Sequence, residues 1–141
     1  MPGHPDFARL MQGVLPYLAM PDAAKAAAFY QKAFGAVVHG DMVRDDKGRV
    51  MNATVEINGG IMMLMDAGLE GCSAEERPAT NQGMTLQLVT DQGDMWWNRA
   101  VAAGCTVTMP FAPQFWGDRY GRLRDPFGLD WAVNEPGPGR G

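Results

Sequence analysis

Histidine and cysteine are scarce in this 141-residue chain, with two of each. Cys72 and Cys105 stand 33 residues apart with no CxxC neighbour, and His4 and His39 lie far from both, so the sequence spells out no zinc ligand set. Neither cysteine has the adjacent histidine or cationic setting that activates a thiolate. Cys105, where the second long helix hands over to an apolar strand, reads as a small core residue, and Cys72 as an exposed one in a polar connector. His4 sits in a loose start, which leaves His39 as the one histidine for a general base. GxGxxG and GxxxxGK loops for phosphates, the GxSxG nucleophile turn and the HExxH zinc helix are all missing.

A strong excess of positive or negative charge is absent as well. With 12 basic and 16 acidic residues the net charge is −4, and no basic tract offers itself to nucleic acid or anionic lipid. No apolar run reaches the roughly 18 residues of a membrane span, and Met1-Pro-Gly-His-Pro lacks the basic flank and apolar core of a secretion signal, so no membrane partner is expected and a cytoplasmic location is the default. The length suits one domain with a substantial core.

What the chain does have is a diffuse internal repeat. Asp22, Gly35 and Gly59 recur as Asp91, Gly104 and Gly128, each 69 residues on, and the stretches between them change periodicity in the same order. Two copies of one small unit follow, with any ligand expected between them. Each copy reads strand, helix, three strands. In the first, residues 13–20 are apolar, Asp22 caps a helix over 23–34 that Gly35 terminates, and strands follow over 36–42, 50–57 and 60–65, the last two joined by Asn58-Gly59. Ala26, Phe29, Tyr30 and Ala33 share one helical face. The second copy has strands over 84–90, 105–109, 119–124 and 129–134 and a helix over 91–103, with Asp91 and Asp94 as an imperfect capping box. The expected organisation is a single domain over 12–135, made of a module at 13–66, a connector at 67–82 and a module at 83–135, with 136–141 as a flexible tail.

Pro16-Tyr17-Leu18, Asp22 with Phe29-Tyr30-Gln31-Lys32-Ala33-Phe34-Gly35, Phe115-Trp116-Gly117-Asp118-Arg119-Tyr120-Gly121-Arg122 and Asp125-Pro126-Phe127-Gly128-Leu129-Asp130-Trp131-Ala132 together resemble the vicinal oxygen chelate superfamily. Within it the likeness is to the glyoxalase/bleomycin-resistance proteins of the phosphonate-operon accessory subgroup, and it covers residues 12 to 135. The resemblance implies an α+β fold of two tandem βαβββ modules whose curved mixed sheets form a cleft, commonly in a homodimer. It also implies, for the superfamily's enzymes, a divalent metal held from the first and last strand of each module. Counting from Asp22, Asp91, Gly59 and Gly128 places those positions at Leu15, Met84, Met63 and Ala132, none of which offers an oxygen or imidazole donor. A slip of two residues substitutes Tyr17, Leu86, Met65 or Ile61, and Asn134 or Asp130, still without three His, Asp or Glu ligands. No metal and no cofactor is therefore expected.

The expected site is an apolar cleft lined by Leu15, Tyr17, Met63, Met65, Met84, Leu86 and Ala132, with Asp130 and Asn134 as polar points near its ends. Eleven methionines, three of them in Ile61-Met62-Met63-Leu64-Met65, suit an adaptable surface for a flat or hydrophobic ligand; they equally suit a packed core. The Phe115 to Tyr120 stretch reads in two ways. Either Trp116 or Tyr120 stacks on a ligand while Arg119 or Arg122 takes an anionic group, or Trp116 covers the core and Asp118 pairs with Arg119. Arg122 and Arg124 share a face and are either anion-binding or solvated, and Asp125 accepts backbone hydrogen bonds within its own turn. Of the adjacent Trp96 and Trp97, one belongs to the core and the other is partly exposed, and Trp131 points to the helix side.

Three function classes remain. The first is a metal-free binding or sequestering protein for a small planar or hydrophobic metabolite or antibiotic. The second is a lyase- or isomerase-type enzyme of the superfamily, moving protons through Asp130, Tyr17 or His39. The third is a structural or partner-binding protein.

Overall fold

The computed structural model describes residues 7–68 and 83–138. His4, Cys72 and most of the connector lie outside the described residues. The elements run α1 (Phe7–Leu10), β1 (Tyr17–Met20), α2 (Ala23–Phe34), β2 (Val37–Arg44), β3 (Val50–Ile57) and β4 (Gly60–Asp66), then β5 (Thr85–Val89), α3 (Gly93–Ala103), β6 (Thr106–Pro113), β7 (Arg119–Arg124) and β8 (Asp130–Glu135). They group into two compact units, residues 7–31 with 35–68, and residues 32–34 with 83–138. Each unit contains a mixed four-stranded sheet, ordered β1-β4-β3-β2 and β5-β8-β7-β6, in which the first strand pairs parallel with the last and the other pairs are antiparallel. The βαβββ order is thus repeated. Among the described residues no helix is long and apolar enough to cross a membrane.

The curvature expected of these sheets is not there. Both are open, and neither closes nor curls strongly, so curved sheets forming a cleft are not what this chain builds. Curling needs bulges or glycine kinks in the paired strands. Here the register breaks only in the edge pairs β2–β3 and β6–β7, while β3–β4 and β7–β8 pair without interruption.

Local chemistry explains the elements. The Asp22 carboxylate accepts from the Lys25 amide at 3.0 Å, and Gly35 ends α2 in the left-handed region at φ 62°. Ala23, Ala26, Ala27, Tyr30, Ala33 and Phe34 are buried at helical spacing. Asn58 and Gly59 both take positive φ, 51° and 79°, as a tight two-residue hairpin turn requires. Two strands run beyond their expected ends. β6 continues to Pro113 through Pro110, which an edge strand tolerates because its outward amides need no partner. β2 continues to Arg44 past Gly40, across a register shift between His39 and Val43.

The start of α3 corrects the expected cap. Asp91 is exposed and lies outside the helix; the N-cap is Gln92, without a side-chain bond, and Asp94 pairs with Arg119 instead of completing a capping box. Glu135, at the end of β8, accepts from the Gly93 amide at 2.9 Å. Its counterpart Asp66, at the end of β4, accepts from the Ala23 amide at 2.7 Å. A last-strand acid thus satisfies the first free amide of the helix in both units.

Candidate functional site

Strand register decides which side chains share a face. In the first unit Tyr17 pairs with Met63, Met63 with Thr54 and Thr54 with His39, so these four form one row across the sheet. Leu18, Ala53 and Leu64 form the neighbouring row on the opposite face and are buried. Met65, two residues beyond Met63, joins the Tyr17 face, and both methionines are half-buried; Met62 is buried on the other face. Leu15 precedes β1 and belongs to no strand.

The phenol of Tyr17 is 47% exposed as a residue yet fully engaged: its hydroxyl donates to the Met51 carbonyl at 2.6 Å and accepts from Asn52 Nδ2 at 3.1 Å. Asn52 also approaches the Met63 sulfur at 3.4 Å and accepts from Thr54 Oγ1 at 3.0 Å. His39, the candidate base, is buried, 2.7 Å from the Glu56 carboxylate and beside the Phe7 ring, with centroids 5.2 Å apart. It is not presented to a ligand.

In the second unit Gln87 pairs with Ala132 and Ala132 with Arg122, while Thr85 pairs with Asp130. Leu86 falls in the alternate row with Trp131 and Leu123, on the side where Gly121 meets Trp97 of α3, so it does not share a face with Ala132. Met84 stands just before β5. The residues facing with Ala132 are therefore Thr85 and Gln87, which sequence counting missed. The expected helix over 91–103 hid the cause: α3 has 11 residues and α2 has 12, so the offset of 69 at Gly35/Gly104 becomes 70 on the N-terminal side of the helix.

Asp130 and Asn134 are buried and engaged rather than open. Asp130 accepts from Arg124 Nε at 3.0 Å, and Asn134 donates to Asp118 at 3.2 Å. Asp118, 2% exposed, also accepts from the Gly137 amide at 3.0 Å and so ties the loop to the chain beyond β8. The expected Asp118–Arg119 pair does not form. Arg119 reaches Asp94 at 2.7 Å and Glu135 at 3.3 Å, and its guanidinium lies over the Phe111 ring at 4.4 Å. The hydrogen bond from Arg119 lowers the Asp94 pKa, and the same bond raises that of Arg119. Arg119 is thus a structural clasp.

Trp97 stacks on Phe111 at 5.5 Å, and Trp96 carries the Arg99 guanidinium at 4.6 Å. Both tryptophans are half-buried, so neither is the wholly core residue that their adjacency suggests. Trp131 is buried, donates from Nε1 to Asp125 at 2.9 Å and packs on Phe34 at 4.4 Å between centroids.

The loop between β6 and β7 closes through Gln114 and Gly117 and presents aromatic rings. Phe115 is 96% exposed; Trp116 is 37% exposed and meets Phe115 edge-on at 4.9 Å and Tyr120 at 5.7 Å. The Tyr120 hydroxyl in turn accepts from Arg122 at 2.8 Å, and Arg122 donates to Thr85 Oγ1 at 2.5 Å. Trp116, Tyr120 and Arg122 thus follow one another in contact within one unit.

The residues present do not fit a family-type metal. By register the first- and last-strand positions carry Tyr17 with Met63 in one sheet and Gln87 with Ala132 in the other: an engaged phenol, a thioether, an amide and a methyl group. No group of three His, Cys, Asp or Glu side chains able to hold a metal ion occurs among the described residues.

Comparison with known proteins agrees with this architecture. The Glyoxalase/Bleomycin resistance protein/Dioxygenase superfamily model matches residues 9–133. An uncharacterised protein of Mycobacterium bovis is 39% identical over 124 residues, covering 86% of this chain and 81% of its own. Among solved structures, a Bacillus cereus PhnB protein, described as a putative 3-demethylubiquinone-9 3-methyltransferase, superposes with a TM-score of 0.68 at 21% identity, over 88% of this chain and 99% of that one. TioX from a Micromonospora strain gives 0.67 at 21% identity, over 92% of this chain and the whole of its own. These structural likenesses are of fold, and the fold suits either small-molecule binding or catalysis. With its repeated βαβββ units and a family match over most of its length, the chain belongs to the glyoxalase/bleomycin-resistance/dioxygenase superfamily.

Proposed function

We propose that this protein binds or sequesters a small planar or hydrophobic metabolite or antibiotic without a metal. One observation carries the reading: Trp116 in the β6–β7 loop and Tyr120 at the start of β7 present partly exposed rings, 5.7 Å apart and edge to face. A planar ligand laid on the Trp116 ring gains stacking and apolar burial together, and the loop that presents the ring is fixed from beneath by the buried Asp118. Fixing the loop beforehand lowers the ordering cost of binding. The half-buried thioethers of Met63 and Met65 supply a second adaptable apolar surface, in the first unit. The groups offered for proton transfer favour binding over catalysis as well, since Asp130, Tyr17 and His39 each already hold a protein partner.

Titration calorimetry with two matched probes, 2-naphthoate and 2-naphthamide, tests the reading. Trp116→Ala is expected to weaken both by roughly tenfold, the loss of about 1.4 kcal/mol of stacking. Absence of heat with both probes, or equal affinities in variant and parent, would refute it.

A further inference from the structure

The sheet of the second unit carries three arginines on β7, and they differ in what they hold. Arg119 is clasped by Asp94 and Glu135, and Arg124 by Asp130. Arg122, half-buried between them, donates only to two neutral hydroxyls, those of Tyr120 and Thr85, and no carboxylate among the described residues pairs with it. A guanidinium taken partly out of water without a counter-charge is costly, and hydroxyl partners orient it without neutralising it. Its Nη1 donates to the Tyr120 hydroxyl and its Nη2 to the Thr85 hydroxyl, so the plane of the fork is fixed. On that face its own row holds Gln87 and Ala132, with the paired Arg124 and Asp130 in the row to one side and the ring of Tyr120, which leads to Trp116, on the other.

We infer that Arg122 is the anion-recognition point of this surface, and that the ligand is a planar aromatic or hydrophobic molecule bearing a carboxylate or similar oxyanion. The inference rests on the binding reading above and adds the charge of the ligand. Trp116 takes the flat part; Arg122 takes the anionic group, held in place by Tyr120 and Thr85. Tyr120 and Thr85 are positioning residues, since their hydroxyls act through the guanidinium.

The same matched probes separate the two claims. In the parent protein 2-naphthoate is expected to bind at least tenfold more tightly than 2-naphthamide, with the preference shrinking as salt is raised. Arg122→Gln should reduce the ratio to about one by costing 2-naphthoate far more than 2-naphthamide, and Trp116→Ala should weaken both probes and keep the ratio. Arg122→Lys, which keeps the charge but not the planar fork, is expected to retain only part of the preference. Equal affinity for the two probes in the parent overturns the anion assignment while the binding reading stands. Failure of both probes to bind removes the binding reading and this inference with it. The parent ratio and its salt dependence need no variant, so poor folding of Arg122→Gln does not shelter the inference.

Discussion

Removing the Asp125 carboxylate is the sharpest test of what holds the second unit together. Asp125 is 4% exposed, and it accepts from the Phe127 amide at 2.8 Å, the Leu129 amide at 3.0 Å and Trp131 Nε1 at 2.9 Å. Asp125→Ala leaves all three donors behind. The Phe127 amide is only part-buried and can be rehydrated, but the Leu129 amide and the indole N–H are in buried settings. A buried donor left without its charged acceptor costs roughly 1.5–3 kcal/mol, so the two together cost about 3–6 kcal/mol. Release of the carboxylate from its own desolvation returns part of this, leaving a net loss of about 3 kcal/mol. With a urea m-value of about 1.5 kcal/mol/M, the midpoint should fall by roughly 2 M at unchanged m. Tryptophan fluorescence reports the transition directly, because the indole of Trp131 is itself a partner. Asp125→Asn keeps an acceptor oxygen but turns an amide N–H₂ toward one of the donors, so its loss should be intermediate. A midpoint shift below about 0.5 M in the alanine variant would show that the turn does not depend on this carboxylate.

Three further predictions concern the same unit. A Cβ at Gly121 would lie 2.6 Å from Phe111 Cα and 2.7 Å from Trp97 Cζ3; the backbone of β6 cannot yield as a side chain does, so Gly121→Ala should lower Tm by about 5 °C or more, and an unmoved melting curve would contradict the packing. Burial, and secondarily the charge of Asp125, push the Cys105 thiol up to about 12 from an ordinary 9.0. Its stabilising contribution is therefore present below pH 9.0 and lost as pH rises toward 12, and Cys105→Ala should flatten that part of the alkaline unfolding profile. At pH 8, alkylation of Cys105 by iodoacetamide should be far slower in the folded chain than in urea, as peptide mapping would reveal; equal rates would mean the thiol is accessible.

Much of the fold was legible because its signals are local. Asn58-Gly59 between two apolar runs needs only its own φ angles, and α2 needs only Asp22, Gly35 and a stripe of alanines between them. The sequence was silent where a distant partner decides. Pro110 and Pro113 look like the end of a strand until β6 is known to be an edge. Arg119 and Arg122 look equivalent until Asp94 and Glu135 are seen to take the first and leave the second. Asp118 beside Arg119 suggests a local pair, yet its carboxylate is turned inward to Asn134 and Gly137. Composition alone could not reveal the sheets' lack of curl, because that depends on where the register breaks, and here it breaks only at the edges.

The misplacement of Leu86 has a single physical origin. Asp22 and Asp91 suggest one alignment of the two units, but only Asp22 caps a helix. The contact common to both units is between the acid ending the last strand and the first helical amide, Asp66 with Ala23 and Glu135 with Gly93. That contact fixes the helix start against the last strand, and the parallel first strand lies directly before the helix. When α3 loses one residue relative to α2, everything before it moves by one position against the offset of 69 that the counting from Asp22 and Asp91 assumes. In a strand one position is a change of face. Gln87 and Thr85 thereby come to lie with Ala132 and Asp130, and Leu86 turns to the Trp131 side. Thr85 is the residue whose hydroxyl orients Arg122, so a shortening of one residue in a helix is what places that hydroxyl on the arginine's face of the sheet.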